Sequence, residues 1–211
     1  MAAGPTPAGP QARGRRDPRG ERRRADLLDA AIRLIGAQGL DAVTHRAVAA
    51  AAGVPPATPS YYFRSKDELI DEALRLVADR EITRLRQHRD ALGDPGADVA
   101  AWAGGITAWL EEQLNGEGRI ALLAQYHLQL EGARRPELAG VLRSWAQATH
   151  GLAQEALTLL GAPDPDPAAL LLVCAIDGLR LEAVSSVGAA LRGDELRALI
   201  ERLLRALAAP A

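Results

Sequence analysis

Apolar positions recur at helical spacing along nearly the whole chain, and no stretch shows the two-residue alternation of a half-buried strand. Leu28, Ala31, Ile32 and Ile35 mark one face of a helix over about residues 21–38, with Asp26, Asp29 and Arg33 between them and Gly39 as its stop. A short alanine-rich helix follows. Thr44 offers it an N-cap hydroxyl, and Gly53, free of a Cβ, can supply the positive φ of a tight turn at its end. After VPPATPSYYF, with its three prolines, Ser65 and Glu68 stand at capping-box spacing. Leu69, Ile70, Ala73, Leu74 and Val77 then make the stripe of a long helix to about Arg89.

Beyond residue 97 every segment reads as helix. Ala97 to Leu114 carries Trp102, Ile106, Trp109 and Leu110, and Arg119 to Glu131 carries Ile120, Leu123, Tyr126, His127 and Leu130. Pro136 to Leu160 opens with a proline suited to a first helical turn. After the GAPDPDP break, Pro167 to Val187 is the most hydrophobic helix, and Asp194 to Ala208 is amphipathic. The predicted fold is all-α with about nine helices. It divides into a flexible arm (1–20), a helix-turn-helix unit (21–66) and a longer helical domain (67–211).

Composition sharpens this picture through charge. The chain of 211 residues has a net charge of -2, yet residues 1–66 hold eleven Arg/Lys against five Asp/Glu and residues 67–211 fourteen against twenty-two. A basic front and an acidic rear suit a protein whose front meets a polyanion. The single cysteine, Cys174, rules out an intramolecular disulfide framework and fits a reducing cytoplasm. The longest apolar run, Ala168 to Ile176, is far short of the roughly 20 residues that cross a bilayer, and the first twenty residues lack a signal-peptide core. The four histidines show no metal-ligand spacing, and neither a GxSxG nor a phosphate-loop motif occurs, so neither an enzyme, a metal site nor a cofactor is expected.

The run LLDAAIRLIGAQGLDAVTHRAVAAAAGVPPATPSYYFRSKDELI resembles the DNA-binding domain of TetR-family transcriptional regulators. The apolar helix ending in Gly39, the Thr44 cap, the Ala52-Gly53-Val54 turn and Tyr62-Phe63 ahead of Ser65-Lys66 carry the likeness over about 45 residues. Thr44 and Arg46 lie where a helix start can hold a phosphate, and Phe63 is expected to point inward. Tyr61 and Tyr62, adjacent and so about 100° apart on a helix, cannot both follow it. The resemblance implies phosphate or base contacts for both tyrosines and a backbone contact for Lys66. Arg13, Arg15, Arg16, Arg19 and Arg22 to Arg24 are candidates to follow the DNA backbone or an adjoining minor groove.

Pro59 and Ser60 depart from the family, which usually has an aliphatic and an aromatic residue there. Proline is tolerated only in a first helical turn, so the recognition helix is expected to start late, with Thr58 as N-cap. No arginine lies between Gly53 and Phe63, which leaves base readout to Ala57, Thr58, Ser60 and Tyr61 and to DNA shape. One head reads too few base pairs, so a homodimer on a palindromic double-stranded operator is expected. Its seam is assigned to the last two helices, through Leu171, Leu179, Val184, Leu196, Ile200 and Leu203. Asp177 and Arg180 can pair within their helix, either in that seam or facing solvent. The resemblance also implies a pocket for a small-molecule effector, with Trp102, Trp109, Tyr126, His127, Trp145 and His150 as candidates. The implied function is a ligand-responsive repressor released from DNA by its effector. The alternative is a helical interaction protein whose sequence-specific DNA binding is impaired by Pro59 and Ser60.

Overall fold

A computed structural model describes residues 18–92, 98–185 and 192–209. Among them are nine α-helices and no strand: α1 (Pro18–Gln38), α2 (His45–Ala51), α3 (Thr58–Tyr62), α4 (Lys66–Leu92), α5 (Val99–Leu114), α6 (Gly116–Gly132), α7 (Ala139–Leu159), α8 (Pro165–Ser185) and α9 (Gly193–Ala208). Two 3-10 turns, Leu40–Ala42 and Pro136–Leu138, complete the regular structure. Residues 1–17 of the expected arm, with Arg13, Arg15 and Arg16, lie outside the described residues. Pro18 to Gly20 belong instead to the first turn of α1. Helix α8 likewise starts two residues before the expected Pro167. Both Pro165 and Pro167 fit its first turn, where an amide would have no intrahelical acceptor.

Two apolar cores organise the molecule. The first joins Leu27, Ile32 and Ile35 of α1 to Val48, Phe63, Leu69 and Leu74, and continues into Ala124 and Leu128 of α6. The head is therefore seated on the rear half through α1 and α6. Gly36 makes the closest approach: a Cβ there would lie 2.1 Å from the Ile120 carbonyl oxygen, so only glycine lets the two backbones meet. The second core gathers Trp102 and Leu110 of α5, Leu157 of α7, Leu172 and Ile176 of α8, and Leu196, Ile200 and Leu204 of α9. Helix α4 belongs to both regions. Its first half fills the head core, and its second half carries Glu81 and Leu85 to the space between α5, α7 and α8.

That arrangement corrects part of the expected dimer seam. Leu196 and Ile200 are 3% and 0% exposed, because α9 turns its apolar stripe onto α5 and α8 of its own protomer. Leu179 and Leu203 also pack, half-buried, against this core, and Val184 is half-buried. Of the six residues only Leu171 stands exposed. It shares an outward face of α8 with Leu170, Cys174, Gly178 and Leu181.

Candidate nucleic-acid interface and effector chamber

The turn between α2 and α3 is fixed by short-range bonds. Thr44 caps α2 by accepting a hydrogen bond from the Ala47 amide at 3.0 Å, and Gly53 takes φ +65° at the turn. Helix α3 does start late, but its N-cap is Ala57 and Thr58 is its first residue. The Thr58 amide donates to the Pro55 carbonyl at 2.9 Å, a bond that closes the proline turn and winds Thr58 into the helix. Pro59 follows in the first turn, where its missing N–H costs nothing. Its ring is buried, so it occupies the inward place of an aliphatic residue.

Around this turn the candidate DNA residues divide by exposure. Thr44, Arg46, Ala57, Ser60, Tyr61 and Lys66 are exposed, and Tyr61 is 84% so. Ser60 shares a 3.1 Å hydrogen bond with His45 Nδ1, which ties α3 to the start of α2. Tyr62 is half-buried against the head core, and its ring meets Tyr61 edge-on at 5.0 Å. Thr58 is half-buried. Lys66 Nζ donates to the Asp41 carbonyl at 3.4 Å, a long contact on an exposed side chain. Ser65 accepts from the Glu68 amide at 3.1 Å as expected of a capping box, and Glu68 reaches back to accept from the Arg64 amide, one residue before Ser65. Arg24 does not face outward with its neighbours: its guanidinium lies 5.2 Å from the Phe63 ring centroid and pairs with Glu72.

Behind the head lies a chamber of two adjoining parts. The inner cavity, of about 100 Å³, is lined by Trp102, Ile106, Leu152 and Ile176 among others. The outer one, of about 430 Å³, includes Glu81, Gln129, Trp145 and His150. Leu85, Trp109, Val173, Asp177 and Arg180 border both. Of the expected pocket residues, Trp102, Trp109, Trp145 and His150 thus meet at one space. His150 also contacts Asp166 at 3.0 Å. Tyr126 is half-buried beside the charges of Arg180 and Asp177, with its hydroxyl unbonded, and burial raises its pKa. His127 is a correction. One step round α6 from Tyr126, its ring faces the end of α1, with Cε1 3.8 Å from where a Gly39 Cβ would stand.

The polar groups of the chamber are mostly ones the sequence did not single out. Glu81 is 4% exposed, and burial, the largest influence, pushes its carboxyl above the usual range despite Arg84 and Arg180 nearby. Arg84 donates to its Oε1 at 3.1 Å and Gln113 to its Oε2 at 3.4 Å. Arg180, also 4% exposed, donates to Asp177 at 2.9 Å and to Gln125 Oε1, and its guanidinium lies 5.2 Å from the Trp109 ring centroid. The Asp177–Arg180 pair therefore borders the chamber, with Arg180 buried and the Asp177 side chain 41% exposed. A signal for Glu81 was present: it continues the stripe Leu74, Val77, Ala78 at a position where only apolar side chains are otherwise found.

Comparison with known proteins bears on both regions. Residues 27–73 match the family model described as bacterial regulatory proteins, tetR family, and residues 97–210 the one described as tetracyclin repressor-like, C-terminal domain. The transcriptional regulator BetI of Rhizobium meliloti (strain 1021) is 49% identical over 53 residues, 25% of this chain and 26% of BetI. The transcriptional repressor KstR2 of Mycobacterium tuberculosis (strain CDC 1551 / Oshkosh) is 36% identical over 73 residues, 35% of this chain and 36% of KstR2. The matched stretch thus spans about a third or less of these curated relatives. Over nearly full length, the multidrug binding protein EbrR, solved with ethidium, is 33% identical with a TM-score of 0.60, covering 86% of this chain and 98% of EbrR.

Proposed function

The chain belongs to the TetR family, its carboxyl-terminal match alone covering more than half its length, and from that premise we propose a ligand-responsive DNA-binding repressor. Two heads of a homodimer read successive major grooves of a near-palindromic operator. Thr44, Arg46, Tyr62 and Lys66 hold phosphates, and Ala57, Thr58, Ser60 and Tyr61 face base edges. A small molecule in the chamber favours a protomer shape that separates the heads, and releases DNA in proportion to its preference for that shape. The observation that carries this reading is helix α4. One continuous helix begins with Lys66 at the head surface and reaches the chamber wall at Glu81 and Leu85.

The ethidium held by EbrR supports an aromatic effector here, set among Trp109 and Trp145. The experiment is a gel shift with the DNA flanking the chain's own gene, at low and rising salt, with and without candidate effectors. Retardation that falls steeply with salt and is relieved by a chamber ligand is expected. Failure to retard any such fragment at low salt overturns the regulator reading and favours a helical interaction protein instead.

A further inference from the structure

The lining of the outer cavity carries more negative than positive charge. Glu81 comes from α4 and Asp177 and Arg180 from α8, so two carboxylates face one guanidinium among Trp109, Trp145 and Leu85. Arg180 is bonded through its two terminal nitrogens to Asp177 and Gln125 and lies against the Trp109 ring, with its buried Nε left without a hydrogen-bond partner. Among the described residues the cation bonded to Glu81 is Arg84, which is 38% exposed and absent from the lining, so solvent screens it. A buried carboxylate short of compensation is costly. The upward push on Glu81 from burial, reinforced by Glu112, persists against Arg84, Arg180 and Gln125. Next to it Gln113, 2% exposed, spends its amide on Glu81 and leaves its Oε1 with no hydrogen-bond partner.

We propose that the chamber is built for an organic monocation with an apolar body, its charge set against the Glu81 carboxylate and its body between Trp109 and Trp145. The inference rests on the effector reading above and adds the ligand's charge and its counter-ion. The Trp145 indole in the same lining favours a cation further, and the burial of Glu81 strengthens the attraction over that of an exposed pair. An anion would meet two carboxylates and a guanidinium whose charge is already paired with Asp177.

The test uses the full chain without DNA and three fluorescent probes: proflavin as cation, N-phenyl-1-naphthylamine as neutral body and 1-anilinonaphthalene-8-sulfonate as anion. Proflavin is expected to bind more tightly than the sulfonate. Glu81→Gln should weaken it by about tenfold, a factor worth about 1.4 kcal/mol, while the neutral probe changes by less than about threefold. Equal loss of both probes, unchanged proflavin affinity, or preference for the sulfonate overturns the proposal. If Glu81→Gln does not fold, pH does the same work on the unaltered side chain. Proflavin affinity should fall on acidification as Glu81 takes a proton, and should start to fall above the usual carboxylate range because burial raises the Glu81 pKa, with neutral-probe binding flat. The charged and polar groups facing Glu81 are Arg84 on α4, Glu112 and Gln113 on α5, Gln125 on α6, His150 across the cavity on α7, and Asp177 and Arg180 on α8. The titration is therefore run in a His150→Gln background, and a flat proflavin curve there overturns the proposal. Loss of operator retention in the gel shift would sink the regulator reading alone. Probes blind to charge, with effector-driven release intact, would sink only the assignment of Glu81.

Discussion

Lys66 and Thr58 offer the cleanest separation of phosphate from base contact at the proposed DNA surface. Lys66 is exposed and makes only the long contact to the Asp41 carbonyl, so it can swing to a phosphate at little cost. Lys66→Ala should weaken binding alike on every sequence and reduce the salt slope by about one. Thr58→Ala should cost mainly the cognate site, by about 1–3 kcal/mol. Anisotropy titrations on operator and scrambled duplexes at several salt concentrations check both, and equal losses on scrambled DNA would remove Thr58 from the readout. Glu81 predicts a stability effect as well. Folding raises its pKa above 4.5, so the folded state holds the proton more tightly than the unfolded chain. Its ionisation penalty is then complete above the folded pKa and absent below about 4.5. Glu81→Gln should therefore melt higher than the parent protein at pH 7 to 8, with the gap closing as the pH falls towards 4.5. A gap that grew on acidification would contradict the burial argument. Phe63 was legible as an inward residue because its size leaves few alternatives. The direction of His127 was not, since a half-polar ring one step from Tyr126 suits either of the two surfaces α6 covers.

At the scale of elements, the contact of α1 with α6 decides how the head is held. The Gly36 approach admits no side chain, so Gly36→Ala must push the two helices apart. A cost of about 1–3 kcal/mol is expected, as for other overpacked sites. Gly151→Ala is the control: it lies within α7 with open space beside it, and should stabilise by about 0.5–1 kcal/mol through helix propensity. Urea unfolding of the two variants measures both, and a Gly36→Ala protein as stable as Gly151→Ala would show that the helices separate freely. The number and order of helices were legible because a 3.6-residue stripe with a cap is a local signal, as at Ser65 and Glu68. The start of α3 was legible to within one residue, from the proline rule. Which helices touch was not, because Gly36 signals a close approach without naming its partner. The same limit concealed the clasp of Arg135, which bonds Asp71 of α4 at 2.8 Å and Glu131 of α6 at 2.7 Å.

For the whole molecule, the outward face of α8 is the surface among the described residues that we propose for a second copy. Leu170, Leu171 and Leu181 are 56%, 60% and 55% exposed on one side of a helix whose other side fills the second core. Three large aliphatic side chains on one helix face are a patch that monomers seldom leave in water. A two-fold partner would bring the same face against itself. The residues first assigned to the seam include Leu196 and Ile200, and their burial makes the two roles separable by mutation. Leu171→Glu with Leu181→Glu should abolish the dimer in light scattering while leaving the protomer helical and cooperatively folded. Ile200→Ala should instead destabilise the protomer by about 2–5 kcal/mol and affect association only through unfolding. The charged pair should also lose operator binding far more than binding to a single half-site, because the spacing of two heads, not the head itself, is what it removes. Should the double glutamate variant remain dimeric, the face that joins two copies is not this one.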